Sequence, residues 1–239
     1  MNTIRIEVCV DSKASLDAAV DGGADRIELC SALELGGLTP GAGLLLEATR
    51  APVPVHVMIR PRGGDFDFTT AEIDQMVDDV VACHQAGLAG VVIGATAAGG
   101  LDANAMATLA GAAGSLSLTL HRAFDLVNDP ATAIDMAVDL GINRILTSGG
   151  AATAEAGADA IKGHVQRAAG RLAIMAGGGI TAANVAAIVD KTGVSDVHGS
   201  FSRPLRSFSS DIRRFGFTSR DGLTVTDPDT VRAVRTALN

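Results

Sequence analysis

The stretch V-H-V-M-I-R-P-R-G-G-D-F, Val55 to Phe66, starts as a β-strand and ends in two arginines around a proline. Side chains alternate along a strand, so Val55, Val57 and Ile59 share one face and His56, Met58 and Arg60 the other. An apolar face suits burial under helices. A polar face ending in a guanidinium suits the lining of an open mouth. Pro61 stiffens the exit, Arg62 leaves on the same side, and Gly63 and Gly64 allow a tight turn after which Asp65 can tie an arginine in place.

The same pattern recurs outward in both directions. Ile4, Ile6, Val8 and Val10 alternate with Arg5, Glu7, Cys9 and Asp11. Ile27 and Leu29 alternate with Glu28 and Cys30, Leu116, Leu118 and Leu120 with Ser117, Thr119 and His121, and Val197 with Asp196, His198 and Ser200. Strands are expected near Ile4–Val10, Arg26–Cys30, Val53–Arg60, Gly90–Ile93, Leu116–His121, Arg144–Thr147, Leu172–Ala176 and Asp196–His198. Helical spacing follows each one. Thr69 with Glu72 reads as a capping box, Asp129 with Pro130 as an N-cap and N1 pair, and a closing helix is expected near Asp229–Leu238. Strict strand–helix alternation over eight units predicts an α/β fold, a single (β/α)8 TIM-type barrel occupying residues 1–239 as one domain. One segment, about 199–227, reads as long and irregular and carries Arg203, Arg206, Arg213, Arg214 and Arg220; it is expected to lie over the mouth, to form a subunit contact or to serve as a plain solvated connection. A-V-D-G-G-A-D-R-I-E-L (Ala19–Leu29) also echoes A-V-D-L-G-I-N-R-I-L-T (Ala137–Thr147), half a barrel away.

Composition narrows the function. The 239 residues are 47% hydrophobic and 19% charged, enough apolar material for a large core. A net charge of -8, with neither Trp nor Tyr, argues against nucleic acid as partner. No apolar run reaches membrane-spanning length. The chain enters I-R-I-E-V-C-V without a basic and then apolar leader pattern, and its three cysteines, Cys9, Cys30 and Cys83, are few and far apart. A reducing cytoplasm is the expected location.

Three constellations carry chemistry. Thr147-Ser148-Gly149-Gly150, Ala176-Gly177-Gly178-Gly179 and His198-Gly199-Ser200 follow the last three strands, where bare backbone N–H groups of barrels hold phosphate; tight turns alone also use glycine. Cys9 and Cys30 end neighbouring strands with Met58 one strand on, a soft donor set for Cu(I), or else two buried structural cysteines. His121 and His198 face Glu7 and Glu28 across the barrel, an arrangement able to move protons at neutral pH or to sit as an ion-pair network with Arg60 and Arg62.

These residues resemble the CutC family. E-V-C-V-D-S, G-A-D-R-I-E-L-C-S, G-G-L-T-P, V-M-I-R-P-R-G-G-D-F, H-R-A-F-D, L-T-S-G-G, G-G-G-I-T and H-G-S stand in the family order over nearly all of Ile4–Phe201. Two positions depart: Ala176 where the family often has proline, and Ile93 before Gly94 where it often has phenylalanine. The resemblance implies a cytoplasmic TIM-type barrel, a homodimer or larger homo-oligomer, concerned with copper homeostasis and binding Cu(I) through Cys9 and Cys30. Met58, or His121, is expected to complete that site. The alternative is a lyase, isomerase or hydrolase acting on a small anionic metabolite, phosphorylated or not. In that case Arg60 and Arg62, with Ser148, Gly149, Gly177, Gly178, Gly179 and His198, hold the anion, and Glu7, Glu28 and His121 transfer protons.

Overall fold

Strand β1 (Arg5–Val10) hydrogen-bonds on one side to β2 (Arg26–Leu29) and on the other to β8 (Asp196–Gly199), so the sheet closes on itself and has no edge. Between them β3 (Val55–Met58), β4 (Gly90–Ile93), β5 (Ser117–Leu120), β6 (Arg144–Thr147) and β7 (Ala173–Gly177) follow in chain order, all parallel. The computed structural model describes residues 3–239. Helices α1 (Lys13–Asp21), α2 (Ala42–Ala48), α3 (Thr70–Gln85), α4 (Ala103–Ala113), α5 (Pro130–Asp139), α6 (Ala158–Ala168) and α7 (Val185–Thr192) each follow one strand. This is the (β/α)8 barrel that the alternation predicts.

The core lies between barrel and helices. Ile6, Val8, Val10, Ile27, Leu29, Val57, Ile59, Ile93, Leu120 and Ile145 turn outward and are fully buried in one continuous apolar cluster. Burying each such side chain contributes roughly 1.5–3 kcal/mol, and this layer leaves the inward rows free to be polar. The caps follow the sequence: Thr69 and Glu72 form a reciprocal capping box on α3, and the Asp129 carboxylate accepts from the N–H groups of Ala131 and Thr132 with Pro130 at N1.

The segment about 199–227 is ordered structure, in contrast to its irregular reading. β9 (Ser202–Ser207) pairs antiparallel with β10 (Gly222–Thr226) across α8 (Ser210–Arg214), and α9 (Pro228–Ala237) closes the ring. Three of its arginines pair within the segment, Arg213 with Asp221 at 2.6 Å, Arg214 with Asp211 at 3.0 Å and Arg203 with Asp227 at 3.5 Å, while Arg220 reaches out to Glu34 at 3.9 Å. The foot of the hairpin is tied to α1, where the Thr226 N–H donates to Ser15 Oγ at 3.2 Å. Every residue of β9 is exposed, so no buried apolar face marked this hairpin in the sequence.

Candidate functional site

Register places the polar inward residues in layers. Glu7 stands beside His198 on one side and Arg26 on the other, and Cys9 stands beside Glu28. At the deepest level Arg26, on β2, binds the Glu7 carboxylate through Nε and Asp196 through Nη2 at 2.9 Å. Burial opposes ionisation of Glu7, yet the His198 hydrogen bond and the Arg26 charge win and hold its pKa well below the usual carboxylate range. His56 and Arg144 complete this layer, with Arg144 Nη1 3.1 Å from His56 Nδ1. Burial pushes the His56 pKa down to about 3, against the pull of Glu7. The partner of Glu7 is therefore Arg26, and neither Arg60 nor Arg62 reaches it. Arg26 and Arg144 are the residues the sequence reading passed over, although both occupy inward parity positions and match each other in the echo between Ala19–Leu29 and Ala137–Thr147.

One level up, His198 Nδ1 lies 2.9 Å from Glu7 Oε1 and Nε2 lies 3.7 Å from Glu28 Oε2. One ligand atom each from Cys9, Glu28 and His198 lie within 4.8 Å of one another, and all three residues are buried. Burial disfavours a charged imidazole, but Glu28, Cys9 and Glu7 outweigh it and raise the His198 pKa well above its ordinary value. Burial and the nearby Glu7 charge raise the Glu28 pKa, with His198 pulling the other way. This trio forms the floor of the C-terminal mouth. Cys30 stands outside it: its side chain packs with Met58 and Val92, its thiol faces Glu28 Oε2 at 3.5 Å, and burial with the Glu28 charge pushes its pKa well above the ordinary thiol value. Among His, Cys, Asp and Glu side chains of the described residues, strand closure of β8 against β1 groups Cys9 with Glu28 and His198, and the expected Cys30 and Met58 pack together beside that group.

The mouth has two lobes that share Cys9, Leu33, Arg122 and His198 as a common wall. The first, about 320 Å3, is lined by Gly178, Gly179, Gly199 and Ser200 and roofed by Arg220 and Thr224–Thr226 of the hairpin. The second, about 390 Å3, is lined by Glu28, Met58, Arg60, Phe66 and His121, among others. Arg60 spends its terminal nitrogens on backbone carbonyls: Nη1 on Leu35 and Gly37 at 2.7 and 3.1 Å, Nη2 on Gly64 at 2.7 Å. Arg62 lines neither lobe. Its donors go to Glu72 at 2.5 Å, Asp65 at 2.9 Å and the Asp67 carbonyl at 2.8 Å, so it clamps the start of α3.

The β6 loop also differs from its expected role. Asp125, in the turn after β5, accepts from the N–H groups of Ser148 and Gly150, from the hydroxyls of Thr147 and Ser148, and from Arg122 Nε. The anion held by Ser148 and its neighbours is a carboxylate of the protein itself. Gly149 N–H turns back to Thr147 Oγ1 at 2.8 Å. Gly177 sits within β7, where a Cβ would come within 2.5 Å of Leu146, so its role is packing. Gly178, Gly179 and His198 remain on the mouth.

The CutC family model matches residues 4–203, which span the barrel strands and stop at the start of the hairpin. The chain belongs to the CutC family. A family protein CutC of Rhizobium meliloti (strain 1021) is 49% identical over 240 residues, covering 100% of this chain and 98% of the relative. A crystal structure described as a putative copper homeostasis protein CutC from Streptococcus agalactiae is 34% identical with a TM-score of 0.79, covering 83% of this chain and 99% of that one. At 16% identity and a TM-score of 0.59, thiamine phosphate pyrophosphorylase from Pyrococcus furiosus shares the barrel alone, over 99% of this chain and 96% of that one.

Proposed function

We propose that the chain is a cytoplasmic copper-homeostasis protein that binds one Cu(I) ion as cargo through Cys9 and His198, with Glu28 as the adjoining carboxylate. The observation that carries this reading is the convergence of those three ligand atoms within 4.8 Å at the mouth floor. Thiolate and imidazole donors suit Cu(I), and a bare carboxylate beside them widens the set toward borderline divalent ions. The hydrogen bond from His198 Nδ1 to Glu7 is the second contact that metal-bound histidines commonly make; it leaves Nε2 facing Cys9 and Glu28. Binding must displace the proton that His198 carries, so uptake of the ion releases protons. The copper role named for the Streptococcus agalactiae protein supports the choice of ion. Three free, buried cysteines are consistent with a reducing compartment, and no helix among the described residues is long and apolar enough to cross a membrane.

The test is an anaerobic Cu(I) titration against a competing chelator. Cys9→Ser and His198→Gln should each weaken binding at least tenfold, while Cys30→Ser and Met58→Leu should bind as wild type does. Unchanged affinity in Cys9→Ser would end the proposal. A second reading, an enzyme acting on a small anionic metabolite, draws on the glycines and Arg122 that line the first lobe beside the same floor. Saturable binding of inorganic phosphate, lost on Arg122→Gln, would support it.

A further inference from the structure

The second lobe carries a feature that metal binding leaves unused. Three residues that line it each hold one buried side-chain atom with no hydrogen-bond partner among the described residues: Arg60 Nε, His121 Nε2 and Glu28 Oε1. The parent side chains are 4%, 3% and 3% exposed. Buried polar atoms are nearly always partnered, because leaving one bare forfeits its hydration without return. Three of them in residues lining one cavity favour a polar occupant.

The chemistry of the two nitrogens is fixed by their surroundings. The Ala123 N–H donates to His121 Nδ1 at 3.1 Å, so Nδ1 is the acceptor and the ring proton sits on Nε2. Burial, with the Arg60 charge adding, pushes the His121 pKa down to about 3, and the ring stays neutral. Arg60 cannot swing away, since its other nitrogens hold three carbonyls. Phe66 braces both groups, its ring centroid 4.8 Å from that of His121 and 4.7 Å from Arg60 Cζ. Gly94 leaves the room His121 needs, because a Cβ there would fall 2.4 Å from His121 Cε1.

We propose that Arg60 Nε–H and His121 Nε2–H together hold the carboxylate of a compact hydroxy acid, whose hydroxyl donates to Glu28 Oε1. This rests on the second reading, that of a mouth built for a small anionic molecule. Two unpartnered N–H donors beside a fixed positive charge, both braced on Phe66, suit a carboxylate. The apolar walls of this lobe, Leu35 and Leu126 among them, accommodate a carbon skeleton, and about 390 Å3 falls in the range of small-molecule sites. The lone acceptor at Glu28 distinguishes a hydroxy acid from a plain one, since an acid without the hydroxyl leaves that oxygen bare.

The test uses the full chain, stripped of metal by a chelator so that failure of the copper reading leaves the readout intact. Glycolate, lactate and malate, with acetate, propionate and succinate as their unhydroxylated counterparts, are titrated by calorimetry and by 15N spectra of labelled histidine. The expected result is binding of at least one hydroxy acid at least tenfold tighter than its counterpart, with a shift of the His121 Nε2 resonance. His121→Ala should weaken that binding at least tenfold, whereas Arg62→Gln, just outside the lobe, should leave it unchanged. Should His121→Ala fail to fold, the wild-type Nε2 shift still decides. The proposal is overturned if no hydroxy acid moves that resonance, if the plain acids bind equally well, or if binding survives His121→Ala. Phosphate binding without hydroxy-acid binding would sink this proposal and spare the second reading.

Discussion

Glu7 Oε1 and His198 Nδ1 lie 2.9 Å apart across the seam where the last barrel strand meets the first. The same carboxylate binds Arg26, which in turn binds Asp196. Closing the barrel and assembling the floor of the mouth are thus one event: four charged side chains from β1, β2 and β8 are satisfied only when the first and last strands pair. Arg26→Met removes the cation that Glu7 and Asp196 share and leaves two buried carboxylates facing each other. The expected cost is ~3–5 kcal/mol in urea unfolding. A double-mutant cycle with Glu7→Gln should show strong coupling; additive losses would mean that the two residues do not act as a unit.

The pH dependence of stability follows from His56 and His121. Both have folded pKa values lowered to about 3 from 6.5. A depressed folded value means that the unfolded chain takes up protons the fold refuses, so the contribution is present above 6.5 and is lost as pH falls toward 3. Asp125, also depressed, adds to the loss at the acid end. His198 has the opposite sign: its raised pKa stabilises the fold below 6.5, and that contribution fades as pH rises through the folded value. Between pH 6 and 4 the urea-derived stability should fall, and in His121→Gln the slope should be shallower by about one proton, or ~1.4 kcal/mol per pH unit. An identical slope in wild type and variant would show that His121 titrates normally.

Much of this was legible from parity. The row His56, Met58, Arg60 and the rows ending in Cys9, Cys30, His121 and His198 do turn inward, because strand alternation leaves no other choice once Val55, Val57 and Ile59 are buried by helices. Partner choice was harder to read. Arg60 and Arg62 look alike as a pair, yet the bend at Pro61 sends one into the mouth and the other to Glu72. Cys9 and Cys30 end neighbouring strands, yet Cys30 packs into the apolar pocket of Met58 and Val92. Glycines after β6 resemble an anion loop, and they are one, but the anion is Asp125, supplied from a turn that local sequence does not connect to it. Arg26 could have been found by carrying parity one residue pair further down β2, and Arg144 by reading parity on β6 as well.

Gly94 tests the geometry around His121 without touching a polar group. Its missing side chain is occupied by the imidazole, with a Cβ position 2.4 Å from His121 Cε1. Gly94→Ala should destabilise by ~1–3 kcal/mol through overpacking. Adding His121→Ala should recover part of that loss, because the clash goes with the ring. If the double variant is as unstable as the sum of the two singles, the contact is not what demands glycine.

Asp125 makes the last prediction, since it occupies a site that would otherwise accept an external anion. Burial opposes its charge, but Thr147, Arg122 and the N–H groups of Gly150 and Ser148 hold its pKa below the ordinary value. Asp125→Ala leaves the donors of Thr147, Ser148 and Gly150 aimed at empty space and frees Arg122 Nε, while Arg122 Nη2 keeps Ser148 Oγ at 2.7 Å. Loss of these charge-assisted bonds should cost ~2–4 kcal/mol, somewhat above a single hydrogen bond to a charged group because several fail together. The vacated cluster has the composition of an anion nest, so sulfate should restore part of the thermal stability of Asp125→Ala in a saturable manner while affecting wild type less. Equal sulfate responses in the two proteins would show that the loop relaxes when Asp125 is removed and does not persist as a preformed anion site.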